Sequence, residues 1–376
     1  MLRLLHMGDV HLGAAYSAFG DYAAVRREQV LEAFRGMPEV VAQEQLHAVL
    51  IAGDLFDSQR PSANVLAAAV ETLRRMAENA PVFVVPGNHD PVISRAHPYR
   101  EIAELPHVHL FTSPCFEKPV CVDLSSGPLA VSGMAYDPGV SRDPLATLPS
   151  PPAGAVHVVL LHGAVRKAPH WTPSPNTLCL ERAQLAQLEA DYIALGDFHR
   201  FQSPSDFDPA GKTPACYCGS FAAVDLSETG QRGYVIAELE PAAAPRAVHR
   251  SSGVPSVMRF EWDVTGCESE NEIIESIVLE LEEEEIPVVT LVGSPACPLD
   301  AGKVALHLHE RCGFASVRDQ THYFDSARLH ELSRADTIVG HVARLGRERI
   351  DACSDGKDRQ VADRALRMAL RALGTE

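Results

Sequence analysis

The sequence predicts an α/β protein in which short buried strands are covered by helices, followed by a small α/β domain and a helical C-terminus. Three observations carry this expectation. Five apolar runs rich in Val, Ile and Leu recur through the first two-thirds of the chain, each ending in a cluster of Gly, Asp, Asn or His. Amphipathic stretches of helical length lie between them. A Pro/Ala-rich break, PAAAPR at 241–246, separates this part from a differently patterned remainder.

The five runs are LRLLHMGDVH (2–11), AVLIAGDLFD (48–57), VFVVPGNHD (82–90), VHVVLLHG (156–163) and DYIALGDFHR (191–200). Runs this short and this apolar read as strands with no face in water, so helices must cover the sheet. Residues 22–43 supply one such helix, and 62–78 another that Ser62 caps after Pro61. Residues 98–154 predict further short strands and a loop that closes in turn chemistry at 150–154. No repeat of fixed period is present. Beyond the break, VMRFEWDV, ENEIIESIVLELEEEE, PVVTLVG and KVALHLHE predict strand, helix, strand and strand. The run Glu282–Glu285 reads as the solvated end of that helix, although four acids there oppose its dipole. After Asp325 the pattern is helical, with Val361, Ala365, Met368, Ala369 and Leu373 on one apolar face. The expected domains are therefore 1–245, 255–320 and 325–376.

At 376 residues the chain is too long for one ordinary core. Its 46% hydrophobic and 22% charged residues are those of folded globular domains, which excludes a largely disordered chain. The N-terminal MLRLLHMGDVHLG breaks its apolar run with His and Asp, the wrong pattern for a signal peptide or a membrane span. A cytoplasmic protein without membrane attachment is expected. The nine cysteines are scattered without a C-x-x-C pair and read as small buried hydrophobes, Cys216 and Cys218 two apart on a strand. A net charge of −17 counts against a generic nucleic-acid binder. The balance is uneven, however: from His341 to Glu376 eight basic residues face six acids.

Open α/β sheets place ligands beyond the carboxyl ends of their strands, so the five polar clusters should converge. Asp9 and His11, two apart, point to one side if the strand geometry continues. Gly53 allows a sharp turn into Asp54, the natural carboxylate to bridge two cations, with Asp57 beyond it. Gly87-Asn88-His89-Asp90 offers an amide oxygen, an imidazole and an orienting carboxylate in one tight turn. His162, Asp197 and His199 complete a set of N and O ligands. Such a set suits Mn²⁺, Mg²⁺, Fe²⁺ or Zn²⁺ and is not a thiolate site. Two cations roughly 3.5–4 Å apart grip a phosphoryl group and activate water, which implies phosphate-ester hydrolysis. Either D-x-H or G-D-x-x-D alone reads more simply as a loop cap; five such clusters, each at a strand end, do not. The remaining histidines, His307 and His309 on their expected strand included, follow no ligand spacing.

MGDVHLG, AGDLFDSQRPS, VPGNHD, LLHG and ALGDFHR resemble the successive motifs of the calcineurin-like metallophosphoesterase superfamily. Within it they resemble the SbcD-type nucleases of double-strand-break repair. CYCGSFAAVDLSETGQRGYVI resembles the strand pair that follows in that subfamily, so the likeness covers about residues 1–240. The resemblance implies two packed β-sheets flanked by helices, with a small capping domain that helps to place DNA. It implies one metal held by Asp9, His11, Asp54 and His199, and another by Asp54, Asn88, His162 and Asp197, with Mn²⁺ the expected ion. His89 would face the phosphate and protonate the leaving oxygen, oriented by Asp90. Arg60 is expected either on substrate phosphate or in a surface salt bridge. The implied partners are DNA, an SbcC-like SMC-type ATPase docking on the helical C-terminus, and a second copy of the chain through helices near the second and third motifs.

Two positions depart from the family pattern. Its last motif reads Gly-His-x-His, whereas this chain has Gly196-Asp197-Phe198-His199, and Asp57 stands where some relatives carry a histidine implicated in the exonuclease step. The leading expectation is a metal-dependent DNA exonuclease or endonuclease. A small-substrate phosphodiesterase or phosphatase, and a catalytically weakened DNA-binding scaffold, remain the alternatives. The tail could equally pack on its own domain.

Overall fold

The computed structural model describes residues 1–93, 97–138, 145, 148–166, 176–240, 243–282, 285–297, 299–321 and 326–373. They form two compact units, Met1–Ser256 and Val257–Glu376.

Among the described residues the first unit contains thirteen strands and five α-helices. The strands are β1 (Leu2–Met7), β2 (Ala48–Ala52), β3 (Val82–Val85), β4 (Val108–Leu110), β5 (Val120–Leu124), β6 (Gly127–Met134), β7 (Val156–His162), β8 (Ala164–Val165), β9 (Cys179–Leu180), β10 (Tyr192–Gly196), β11 (Ala215–Tyr217), β12 (Gly233–Leu239) and β13 (Arg246–Ser251). The helices are α1 (Ala23–Arg35), α2 (Met37–Gln43), α3 (Ala63–Ala77), α4 (Arg182–Leu185) and α5 (Pro204–Phe207). One sheet runs β13-β12-β1-β2-β3-β4 and the other β11-β10-β7-β6-β5. All five expected strands are present, as β1, β2, β3, β7 and β10. Their neighbours within this group pair in parallel, which brings their carboxyl ends to one edge of each sheet.

The two sheets face each other across one core. Leu4, Leu50 and Phe83 from the first meet Val158, Leu160 and Ala194 from the second, all inaccessible to solvent. The far face of the second sheet buries Val159, Leu161 and Ile193 against Leu185 of α4 and Phe207 of α5. This is the α-β-β-α sandwich that the resemblance implies. One polar tie crosses the core, from His6 Nδ1 to the Tyr192 hydroxyl at 2.9 Å. Burial with only this partner and a backbone bond drives the His6 pKa down to about 3, so the ring is neutral.

Several local expectations change. Residues 22–43 form two helices, because Gly36 ends α1 and Pro38 opens α2. Ser62 does cap α3, accepting from the Val65 amide at 3.4 Å. β13, which follows the Pro/Ala-rich break, belongs to the first unit and pairs antiparallel with β12. Cys216, Cys218 and Cys297 are buried, but Cys115 and Cys121 are exposed.

In the second unit, β14 (Ser256–Asp263), α6 (Glu270–Glu280), β15 (Glu285–Val292), α7 (Ala301–Cys312) and β16 (Ser316–Asp319) build a three-stranded sheet with two helices. The segment KVALHLHE is helix α7 rather than a strand. Val304 and Leu308, four apart, are its buried pair, Asp300 caps its start and Gly313 its end. His307 and His309 are therefore helical. Helix α6 stops at Glu280, before the acidic run: Glu282 follows the helix and Glu285 opens β15. The dipole conflict is thus resolved by ending the helix early. Glu283 and Glu284 lie outside the described residues.

Three helices complete the unit: α8 (Ser326–Arg334), α9 (Ile338–Asp351) and α10 (Gly356–Ala372). Ala343, Leu366 and Leu370 form their small shared core. The apolar face read from Val361, Ala365, Met368, Ala369 and Leu373 looks outward at Val361 and Met368, both exposed. Among the described residues no helix is long and apolar enough to cross a membrane.

Candidate metal centre

The candidate ligands sit at or just past the ends of β1, β2, β3, β7 and β10, His162 being the last residue of β7. Asp9 and His11 lie beyond β1 with φ of 48° and 50°, so no strand alternation aligns them. Asp54 (φ 48°) and Asp197 (φ 88°) share this left-handed backbone. Four of the seven non-glycine residues with positive φ among the described residues are thus candidate ligands. Such a concentration of backbone strain marks a site whose geometry the surrounding core over-determines. Two glycines allow the close approach. A Cβ on Gly53 would stand 2.2 Å from His162 Nδ1, and one on Gly87 would stand 2.1 Å from Asp54 Oδ1.

All seven predicted ligands meet. His11 Nε2 lies 3.2 Å from His199 Nε2 and 3.8 Å from Asp54 Oδ2. His162 Nε2 lies 2.7 Å from Asn88 Oδ1, 3.5 Å from Asp54 Oδ2 and 3.7 Å from Asp197 Oδ1. Asp54 Oδ2 thus stands between two groups of donors, while its Oδ1 accepts the His89 amide at 2.9 Å. The Asp9 carboxylate is fixed by the Asp197 amide, 3.0 and 3.1 Å from its two oxygens. Asp9, His11 and His199 each place a ligand atom within 4.8 Å of the others, and so do Asp9, Asp54 and His162.

Two of the three imidazoles are hydrogen-bonded on the far nitrogen, and the third has a carboxylate beside it. His162 Nδ1 donates to the Ala52 carbonyl at 2.8 Å. His199 Nδ1 pairs with Glu228 Oε1 at 2.6 Å. His11 Nδ1 lies 3.2 Å from Asp57 Oδ1, out of line for a full hydrogen bond. Fixing the outer nitrogen leaves Nε2 as the inward lone pair, the usual arrangement behind a metal-binding histidine.

The electrostatics demand positive charge. Burial pushes the Asp9 carboxyl up, and pushes that of Asp197 up to about 6 against the pull of His162. Burial also opposes ionisation of Asp54, but His162 and His11 outweigh it and hold Asp54 below the ordinary range. On the imidazoles burial disfavours charge; Asp54 overcomes this at His162, and Glu228 overcomes it at His199, raising it to about 9. Buried carboxylates of this density need compensating cations, and hard oxygen donors mixed with imidazoles fit two divalent ions.

His89 differs from these ligands. Its side chain is 44% exposed, whereas that of His11 is 2% exposed. Asp90 does not orient it: the Asp90 carboxylate accepts from the Phe56 and Gly87 amides and the Tyr99 hydroxyl, at 2.9, 2.8 and 2.5 Å. Asp90 thereby holds the turn that carries Asn88 and His89. The partner of His89 is Asp57, whose carbonyl lies 3.2 Å and carboxylate 3.8 Å from Nδ1. Asp57, Arg60, Asn88 and His89 share a cleft of about 510 Å³ with Ser58, Gln59 and Asn176. Arg60 is exposed there and makes no ion pair among the described residues. Glu228 and Tyr99 escaped sequence reasoning because neither sits in a motif at a strand end, and Ala52, which does, acts through a backbone carbonyl that any residue would supply.

A family description, calcineurin-like phosphoesterase, matches residues 2–201. The chain is 27% identical over 205 residues to the DNA double-strand break repair protein Mre11 of Saccharolobus solfataricus, covering 53% of this chain and 50% of that one. It is 26% identical over 332 residues to the protein of the same name from Haloferax volcanii, covering 88% and 70%. It is also 26% identical over 244 residues to the uncharacterized metallophosphoesterase YhaO of Bacillus subtilis, covering 62% and 57%. The chain thus spans about half the length of the first of these relatives.

Proposed function

We propose, on the premise that the chain belongs to the calcineurin-like phosphoesterase family, that it is a divalent-metal-dependent nuclease cleaving DNA phosphodiester bonds. The observation that carries this reading is three imidazoles, two hydrogen-bonded on Nδ1 and the third with Nδ1 beside Asp57, turning Nε2 toward the same buried carboxylates. Asp9, His11, Asp54 and His199 would hold one cation, and Asp54, Asn88, His162 and Asp197 the other. When bound, such ions neutralise phosphate charge and supply an activated water at neutral pH, and Mn²⁺ is the expected species.

The chain's own residues do the rest. His89 stands at the mouth of the cleft with Nδ1–H held by the Asp57 carbonyl, so that the doubly protonated ring would give its Nε2 proton to the leaving oxygen and remain as the neutral imidazole. Asp57 couples that ring to His11, since its carboxylate faces both. Asp90 and Tyr99 keep the turn rigid, and Arg60 is placed to meet a flanking phosphate. Asp197 takes the place of the family's usual histidine, and its carboxylate faces His162 Nε2 as a ligand to the second cation would.

The exposed face of α9 and α10, with Leu345, Val361 and Met368 outermost, is the proposed dock for an SMC-type ATPase of a cytoplasmic repair complex. A second copy of the chain would pair through helices near the second and third motifs. The net charge of −17 favours one other reading, a small phosphodiester as substrate.

Incubation with Mn²⁺ and labelled single- and double-stranded DNA tests the proposal. Cleavage lost in Asp9→Ala and His89→Ala is the expected result. No cleavage above those controls, with turnover of a cyclic nucleotide instead, would replace DNA by the small substrate.

A further inference from the structure

Glu228 lies outside every ligand motif, on the segment between β11 and β12, yet it reaches the candidate metal centre. We propose that Glu228 is the positioning residue that sets the tautomer and orientation of His199 for cation binding, an inference that rests on the metallophosphoesterase reading above. Its Oε1 holds His199 Nδ1 at 2.6 Å, which turns His199 Nε2 to within 3.2 Å of His11 Nε2.

The carboxylate is itself anchored. Oε2 accepts the Val224 amide at 3.0 Å, and the Ser220 hydroxyl lies 3.4 Å from it. The same segment grips the histidine backbone: the Ser220 amide donates to the His199 carbonyl at 3.0 Å, and the Arg232 guanidinium donates to that carbonyl too. Ring and main chain of His199 are therefore fixed from one side by residues 220–232. The contrast with His162 is chemical, because a neutral carbonyl backs that ring, whereas an anion backs His199. An anion behind an imidazole makes its inward nitrogen a stronger donor as well as orienting it.

The test uses the full chain, with Mn²⁺ alone as probe in a calorimetric titration. Two binding steps are expected for the parent. Glu228→Ala should weaken one step about 10- to 100-fold and leave the other unchanged. Glu228→Gln keeps an oxygen for Nδ1–H without the charge and should fall between them. In the metal-free chain, at a pH above about 9 where the His199 ring is neutral, nitrogen NMR should find its proton on Nδ1 in the parent and in Glu228→Gln, and redistributed in Glu228→Ala. Variants that melt with the parent yet bind both ions as tightly, with the same tautomer, overturn the inference. If Glu228→Ala fails to fold, Glu228→Gln decides by the same criterion. A parent that binds no Mn²⁺ brings down the proposed function itself, a different result from tight binding that Glu228 does not influence.

Discussion

Strands β1, β2, β7 and β10 expose almost nothing on either face, whereas β14 alternates between covered and open residues along its length. The first unit can therefore hold strained aspartates and desolvated charge, because a core on both sides of each sheet leaves the backbone no alternative. Among the described residues the second unit has small cores, eight buried residues around β15 and three among α8–α10, and leaves Leu345, Val361 and Met368 in water. Rigid confinement suits chemistry, and a spare apolar face suits association.

That contrast can be broken most severely at the centre itself. Asp9→Ala should abolish hydrolysis, and His89→Ala should lower turnover by about 10²- to 10⁴-fold, with melting unchanged for the exposed His89. Steady-state rates on labelled DNA with Mn²⁺ check both, and an active Asp9→Ala enzyme would detach catalysis from this site. Next in size is packing. Leu160→Ala, between the two sheets, should cost about 3–5 kcal/mol in denaturant unfolding, near the upper range for buried leucines.

A third test is acidity. The folded pKa of His6 lies near 3, against an ordinary value of 6.5, so the native state keeps the ring neutral while the unfolded chain takes up a proton below 6.5. Stability should thus be complete above 6.5 and fall steadily toward pH 3, by about 2 kcal/mol at pH 5 from this group alone. Unfolding curves of the parent and His6→Gln at pH 7 and pH 5 measure it; equal slopes would remove His6 as the cause. The smallest effect is expected at the open face, where Met368→Ser should shift stability by no more than about 0.5 kcal/mol. A larger loss there would mean that the face is already covered by the chain itself.

Legibility in the sequence follows the same division. Asp9, Asp54, Asn88 and His162 could be read because each sits beside a glycine after an apolar run, and His199 because it follows Gly196-Asp197 at the end of such a run. Their supports could not. Glu228 comes from a loop, Ala52 acts through its carbonyl, and Tyr99 reaches Asp90 from a short turn, so none leaves a pattern. The pairing of His89 with Asp57 rather than its neighbour Asp90 is likewise a matter of distance across the fold. In the second unit, the alternation of Val304, Leu306 and Leu308 imitated a strand. Asp300 and Gly313, the caps of α7, held the contrary signal, and packing of Val304 on Leu308 decided it.

The left-handed backbone at positions 9, 11, 54 and 197 also narrows what evolution can try there. Asparagine, aspartate and histidine are the non-glycine residues that tolerate such torsions best, and they happen to be good donors for hard cations. Glutamate or cysteine would have to overcome the torsion before ligation could reward it. Drift at these places should therefore circulate among a few amino acids.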